Sequence, residues 1–191
     1  MTPAIERHAT FLCHPSTATG AVNGIAARAR VMRSGALAIS YRLSAKTSWL
    51  RIASPRAPQR TDGLWQHTCF EAFIKASASS DYYEFNFSPS GEWAAYLFRS
   101  YRDGGRFDDD SIDPAISVNV EDDCLVLNAA IGLNRLPAIR SGARLLIGLS
   151  AVIEASDGSL SYWALKHPSD KPDFHHPDSF ALELALPGKS A

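Results

Sequence analysis

The sequence predicts an all-β fold: an antiparallel two-sheet β-sandwich, jelly-roll or immunoglobulin-like, with about ten to eleven strands in one domain over residues 1–191. Three observations predict it. Nearly every periodic segment alternates apolar and polar residues with a period of two, which suits a strand with one buried face. Turn-forming residues punctuate these segments at hairpin intervals. No segment sustains a 3.6-residue period over helical length.

Taken in order, strands are expected over 22–32 and 36–43, joined by Arg33-Ser-Gly35, and then over 47–53 and 67–75. The next pair, 82–88 and 93–99, is separated by Ser88-Pro-Ser-Gly91. Segments 116–120 and 124–131 flank Glu121-Asp-Asp123, and 145–153 and 160–165 flank Ala155-Ser-Asp-Gly158. A last strand over 180–186 follows the proline-rich run 168–177. Only Leu133–Ile139 suits a short helical turn, and Pro137 limits it. Gly188–Ala191 reads as a loose tail.

Composition narrows the function classes. The chain has 46% hydrophobic residues, ample for one core, and a formal net charge of −1. Its Lys, Arg, Asp and Glu are interspersed, so no basic stripe invites nucleic acid or an anionic membrane. The run Leu145–Ile153 is strand length, short of the roughly 20 residues of a membrane helix. Glu6 and Arg7 interrupt the N-terminal region where a signal peptide needs an apolar run, so a cytoplasmic location is expected. Cys13, Cys69 and Cys124 are odd in number and far apart, which signals neither a disulfide framework nor a thiolate zinc site. The elbow, phosphate-loop, dinucleotide and kinase motifs are absent.

The stretch YYEFNFSPSGEWAAYLF (82–98) carries the most information. On strand 82–88, Tyr83, Phe85 and Phe87 point to one face and Glu84, Asn86 and Ser88 to the other. That polar face is either solvated surface or the floor of a binding site. A carboxylate and an amide presented together suit a polyhydroxylated ligand, and Arg99 and Arg102 nearby offer forked donors. Glu71 lies in Cys69-Phe-Glu-Ala-Phe-Ile74, apolar on both faces, so its carboxylate must be paired or line a pocket. Trp49 and Trp163 fall within alternating segments and read as core. Trp65 and Trp93 stand where loops meet strands, suited to stacking on a flat ligand face. His67 adjoins Trp65.

With GLWQHTCFEAFI (63–74) and Arg99-Ser-Tyr-Arg102, this stretch resembles the DOMON-like superfamily, in the branch similar to family 9 carbohydrate-binding modules. Trp65, Glu71, Tyr83, Glu84, Phe85, Ser88, Pro89, Gly91 and Trp93 carry the resemblance. It implies a β-sandwich without catalytic residues whose relatives bind sugars or, in other branches, haem. In the sugar-binding relatives, aromatic rings clamp a terminal sugar while charged and amide side chains take its hydroxyls. Haem is not expected: Met1 and Met32, the only methionines, lie outside the matched span.

The expected function is a non-catalytic module that binds a carbohydrate or a sugar-containing metabolite. The expected contacts are Trp65, Glu71, Glu84, Asn86, Trp93, Arg99 and Arg102, with His67, His175 and His176 behind them. Two alternatives stay open. His167, Asp173, His175 and His176, in the prolyl loop 167–178, suggest a transition metal and a metal-dependent enzyme, although their spacing matches no known ligand pattern. That loop is otherwise a polar rim or an ordinary connection. Asp108–Asp113 is acidic enough for structural calcium but lacks the order of a calcium loop. The other alternative is a protein–protein interaction module.

Overall fold

The computed structural model describes residues 6–188, so the expected tail at 189–191 lies outside the described residues. The strands are β1 (Glu6–Thr10), β2 (Leu12–Cys13), β3 (Val22–Val31), β4 (Ala36–Ala45), β5 (Cys69–Ala76), β6 (Tyr82–Phe87) and β7 (Trp93–Ser100). They continue with β8 (Asp103–Arg106), β9 (Ala115–Val120), β10 (Cys124–Gly132), β11 (Arg144–Glu154), β12 (Leu160–Ala164) and β13 (Leu182–Ala185). Short 3₁₀ turns occur at Thr47–Trp49, Leu64–Gln66, Leu133–Arg135 and Pro177–Ser179, and the described residues contain no α-helix.

Two antiparallel sheets form the expected sandwich. The smaller has the order β1-β3-β4-β10-β9. The larger runs β2-β12-β11-β5-β6-β7-β8, with β13 pairing the first half of β11, beside the stretch that β12 covers. Between them lies an apolar layer built from alternate residues of each strand, among them Ile39, Tyr41 and Leu43 of β4 and Phe70, Ala72 and Ile74 of β5. Tyr41 is fully buried, and its hydroxyl donates to the Glu71 carbonyl at 2.9 Å, which answers the cost of burying a phenol.

Several elements differ from the sequence reading. Residues 47–53 do not form a strand. Thr47–Trp49 makes a 3₁₀ turn tied to the 121–122 turn, Thr47 N–H donating to Asp122 O at 3.0 Å, and Leu50 keeps only an isolated bridge to Ala155. Pro55 and Pro58 follow and have no N–H for a ladder. Trp49 is therefore exposed, its ring under Lys46 Nζ, whereas Trp163 is in the core as expected. β1, β2 and β8 went unanticipated because they are short edge strands whose pairing rests on backbone hydrogen bonds and leaves no apolar alternation to read.

β8, Asp-Gly-Gly-Arg, needs its first glycine. A Cβ at Gly104 would collide with the backbone of Leu97 and Phe98 on β7. Gly104→Ala is expected to detach β8 from β7 and lower Tm by roughly 3–8 °C, with amide exchange accelerating first along Tyr96–Arg106.

Candidate functional site

The outward face of the larger sheet follows from the same alternation. On β6, Tyr83, Phe85 and Phe87 pack into the sandwich, which leaves Tyr82, Glu84 and Asn86 on the other side. Register then sets their neighbours. Ser150 of β11 pairs with Glu71 of β5, and Glu71 with Asn86 of β6, so three polar side chains form one row across three strands. Small residues flank that row, Ala164 beyond Ser150 and Ala94 beyond Asn86. The next row carries Phe73, Glu84 and Tyr96.

This face is covered by two chain segments. Gly63, at a φ of 77°, adopts the left-handed conformation that starts the Leu64–Gln66 turn and brings up Trp65, whose side chain is 52% exposed. That loop is tied down by Tyr96 Oη donating to Asp62 at 3.2 Å and by the Arg106–Asp62 ion pair. From the other side, 172–180 folds back over the sheet. Phe180 packs with Phe73 and Tyr82 in a second small apolar cluster that Phe98 and Phe174 join.

Between these covers is a cavity of about 410 Å³. Its floor is Glu71, Glu84 and Val152, and its walls include Trp65, Phe73, Tyr96, Phe98, Tyr162 and Phe174, with Pro172, His175 and Arg102 at the edge. A mostly aromatic hollow with a few convergent polar groups has the general character of a small-molecule site.

The floor is almost withdrawn from water, Glu71 being 3% and Glu84 6% exposed. Glu71 accepts a hydrogen bond from the Ser150 hydroxyl at 3.1 Å, and Glu84 accepts from Asn86 Nδ2 at 3.0 Å. Burial raises the Glu71 pKa well above the usual carboxylate value, and the neighbouring Glu84 charge adds to it. Burial likewise pushes Glu84 up to about 7, the Asn86 hydrogen bond and the Arg102 charge opposing it only in part. Among the described residues neither carboxylate has a Lys or Arg ion-pair partner, and the nearest basic atom is His175 Nε2, 3.6 Å from Glu84 Oε2.

His175 is held neutral. Burial, followed by the nearby Arg102 charge, lowers its pKa to about 4. Its Nδ1 lies 2.8 Å from the Tyr82 hydroxyl, which already accepts the Arg102 backbone N–H at 3.1 Å. The hydroxyl is then the donor to Nδ1, and the ring hydrogen sits on Nε2, facing Glu84.

Asp173 organises the edge. It accepts from the Tyr101 hydroxyl at 2.8 Å, from Arg102 Nη2 at 2.9 Å and from the His175 backbone N–H at 3.2 Å. Burial raises the Asp173 pKa, but these hydrogen bonds and the Arg102 charge outweigh it, so the group stays below the usual range. Arg102 pays for this with a φ of 56°, rare for a residue bearing a Cβ. Asp173→Ala is expected to free the 171–176 segment, read as faster amide exchange there, and to weaken ligand binding by about tenfold, equivalent to one or two lost hydrogen bonds.

The structure brings together Trp65, Glu71, Glu84, Arg102 and His175, with Asn86 directly behind Glu84. It separates the other expected contacts. Trp93 shares the parity of Ala95 and Leu97 and therefore turns into the core, 6% exposed, with the Arg60 guanidinium 4.8 Å from its ring centroid. Arg99 is exposed beside the bulge between Phe98 and Ser100, outside the cavity lining. His67 turns away to Glu154, its Nδ1 2.7 Å from Oε2. His176 accepts the Asp178 backbone N–H and caps the Pro177–Ser179 turn.

The sequence reading missed Phe73, Tyr96, Phe98, Tyr162 and Phe174. For Phe73 the signal was present, since it shares the outward parity of Glu71. Tyr162 and Phe174 come from distant strand and loop segments, which no local pattern places.

The suggested metal ligands do not converge. His167 Nε2 lies 2.9 Å from Leu12 O, and Asp173, His175 and His176 are engaged as described. In the acidic run, Asp108 pairs with Arg60 at 2.7 Å and Asp109 accepts the Ser111 N–H. Among the described residues no group of three or more His, Cys, Asp or Glu is placed to hold a metal ion.

No family model and no curated protein matches the sequence. Solved structures do share the fold. A protein of Bacteroides uniformis ATCC 8492 to which carbohydrate binding is ascribed aligns over 95% of this chain and 86% of that chain, with a TM-score of 0.67 and 12% identity. A family 9 carbohydrate-binding module of Caldicellulosiruptor kristjanssonii, in complex with cellotriose, aligns over 96% of this chain and 84% of that chain, with a TM-score of 0.57 and 13% identity. A family 9 module of the same organism in complex with glucose aligns over 95% and 86%, with a TM-score of 0.55 and 14% identity. The chain is thus similar in fold, an antiparallel β-sandwich, to carbohydrate-binding modules.

Proposed function

We propose that the protein is a non-catalytic module of the DOMON-like kind that binds a carbohydrate or sugar-containing metabolite in the cavity over Glu71 and Glu84. The observation that carries this reading is the combination in one hollow of aromatic walls, including the half-exposed Trp65, with the buried carboxyl groups of Glu71 and Glu84 on the floor and the Asn86 amide behind Glu84. Sugars present apolar C–H faces and hydroxyl edges, and this hollow offers a partner for each. The solved structures of similar fold include modules in complex with cellotriose and with glucose, which supports the same ligand class. A cytoplasmic setting suits the three unpaired cysteines, two of them buried.

Thermal unfolding against mono- and disaccharides, sugar nucleotides and haem tests the reading. A bound ligand at 100 times its Kd stabilises by about 2.7 kcal/mol, a rise in Tm of roughly 5–10 °C. A rise with one sugar class, much reduced in Trp65→Ala, is the expected result. No rise with any sugar well above millimolar concentration overturns it.

A further inference from the structure

We propose that the ligand of the Glu71–Glu84 cavity carries a cationic amine, so that the site selects an amine-bearing sugar over its neutral counterpart. This rests on the sugar-binding reading above and names the ligand more closely. The first observation is an imbalance on the cavity floor. Glu71 and Glu84 sit diagonally on adjacent strands, both nearly buried, and among the described residues neither has a Lys or Arg ion-pair partner. The nearest guanidinium, Arg102, is committed to Asp173 at the rim.

The second observation is independent of the carboxylates. Asn86 is fully buried on the same face, spends its Nδ2 on Glu84, and leaves Oδ1 without a hydrogen-bond partner. Unsatisfied buried polar atoms are uncommon in folded proteins. This one is an acceptor, as are both neighbouring carboxylates. The floor and the layer directly behind it are therefore rich in acceptors and poor in donors: the Ser150 hydroxyl, already given to Glu71, His175 Nε2–H, and the one proton that the carboxyl pair holds.

A neutral hydroxyl brings one donor and asks for donors in return. An ammonium group brings three donors, asks for none, and supplies the positive charge that two buried carboxylates lack. The walls suit the same group, because Trp65, Tyr96, Phe98 and Tyr162 line the cavity and aromatic rings attract a cation through their quadrupoles. Among the described residues Arg102 is the one Lys or Arg that lines the cavity, and it is committed to Asp173, so the charge is left to arrive with the ligand.

Proton release follows from this arrangement. Among the described residues the titratable and charged groups around the floor are Glu71 and Glu84, His175 and Asp173 from the covering segment, Arg102 from the β7–β8 turn, and Cys69, Tyr82, Tyr96 and Tyr162 from the sheet. Burial and mutual repulsion keep a proton on the empty carboxyl pair near neutral pH, and a bound cation drives it off.

The test is isothermal calorimetry at about pH 7, where sugar amines are largely protonated. The matched probes are glucosamine with glucose, galactosamine with galactose and mannosamine with mannose, each amine also in its uncharged N-acetyl form. In at least one pair the amine is expected to bind about tenfold or more tightly than either uncharged form. Its binding heat should vary between buffers of different ionisation enthalpy as the floor releases up to about one proton. Glu84→Gln and, separately, Glu71→Gln should remove most of the amine preference while the weaker binding of the neutral sugar persists. Neutral sugars binding as tightly as their amines overturns the amine and leaves the sugar reading standing. Binding by no member of any pair overturns the amine, and a blank thermal panel of disaccharides and sugar nucleotides beside it overturns the sugar reading as well.

Discussion

Trp65→Ala should weaken sugar binding by about tenfold to a hundredfold, while Tm moves by no more than about 2 °C. The two outcomes separate because of where the ring sits. Its side chain is 52% exposed on a 3₁₀ turn, so truncation removes little apolar area buried on folding. The turn itself is held by other groups: the Gln66 N–H to Gly63 O bond, Tyr96 to Asp62, and His67 to Glu154. Binding buries the remaining face of the indole against the ligand, and covering a large aromatic ring contributes about 1.5–3 kcal/mol. Calorimetry with the sugar found by thermal screening, beside an unfolding scan of the same preparation, checks both halves. Unchanged affinity would remove Trp65 from the site.

Glu84→Gln should stabilise the ligand-free protein at high pH and leave it nearly unchanged at low pH. The carboxyl has its pKa raised from 4.5 in the unfolded chain to about 7 in the folded protein. The folded state therefore binds the proton more tightly, so the associated stability is present below about pH 4.5 and is lost as pH rises through about 7. At 1.36 kcal/mol per unit, complete loss amounts to about 3 kcal/mol, or roughly 6–12 °C in Tm. Glutamine cannot ionise, and its carbonyl can still accept the Asn86 Nδ2–H bond. The gap in Tm between variant and parent should thus open between about pH 5 and pH 8.

His175 tilts both proteins in the opposite direction. Its pKa is lowered from 6.5 to about 4, so its contribution is present above about 6.5 and is lost as pH falls toward 4. The parent should be most stable between these two limbs, and the variant should keep only the acid limb. Parallel Tm curves for the two proteins from pH 5 to 8 would show that Glu84 is not the group responsible.

The pleat made much of the candidate site's geometry legible in advance. Tyr83, Phe85 and Phe87 against Glu84 and Asn86 is a local alternation, and it put both polar residues on the outward face before any tertiary contact was known. The lone carboxylate in Cys69–Ile74 likewise marked Glu71, because buried charge needs a reason. The same logic failed at Trp93, where a position beside a turn suggested exposure. The residue lies one place off the parity of Ala94 and Tyr96, and one residue is enough to reverse a side chain across a sheet. It failed also at Trp49, since alternation over 47–53 cannot reveal that Thr47 bonds to the 121–122 turn rather than to a neighbouring strand.

The sequence by itself determined the all-β class, most of the strands and the side of the sheet on which Glu71, Glu84 and Asn86 stand, because a period of two acts within a few residues. Tertiary structure alone decided what surrounds them. Register across β11, β5 and β6 aligned Ser150, Glu71 and Asn86, and the return of 172–180 over the sheet closed the cavity with Phe174 and His175. These are meetings between residues far apart in the chain, selected by the packing of whole strands and loops, and no local pattern of residues encodes them.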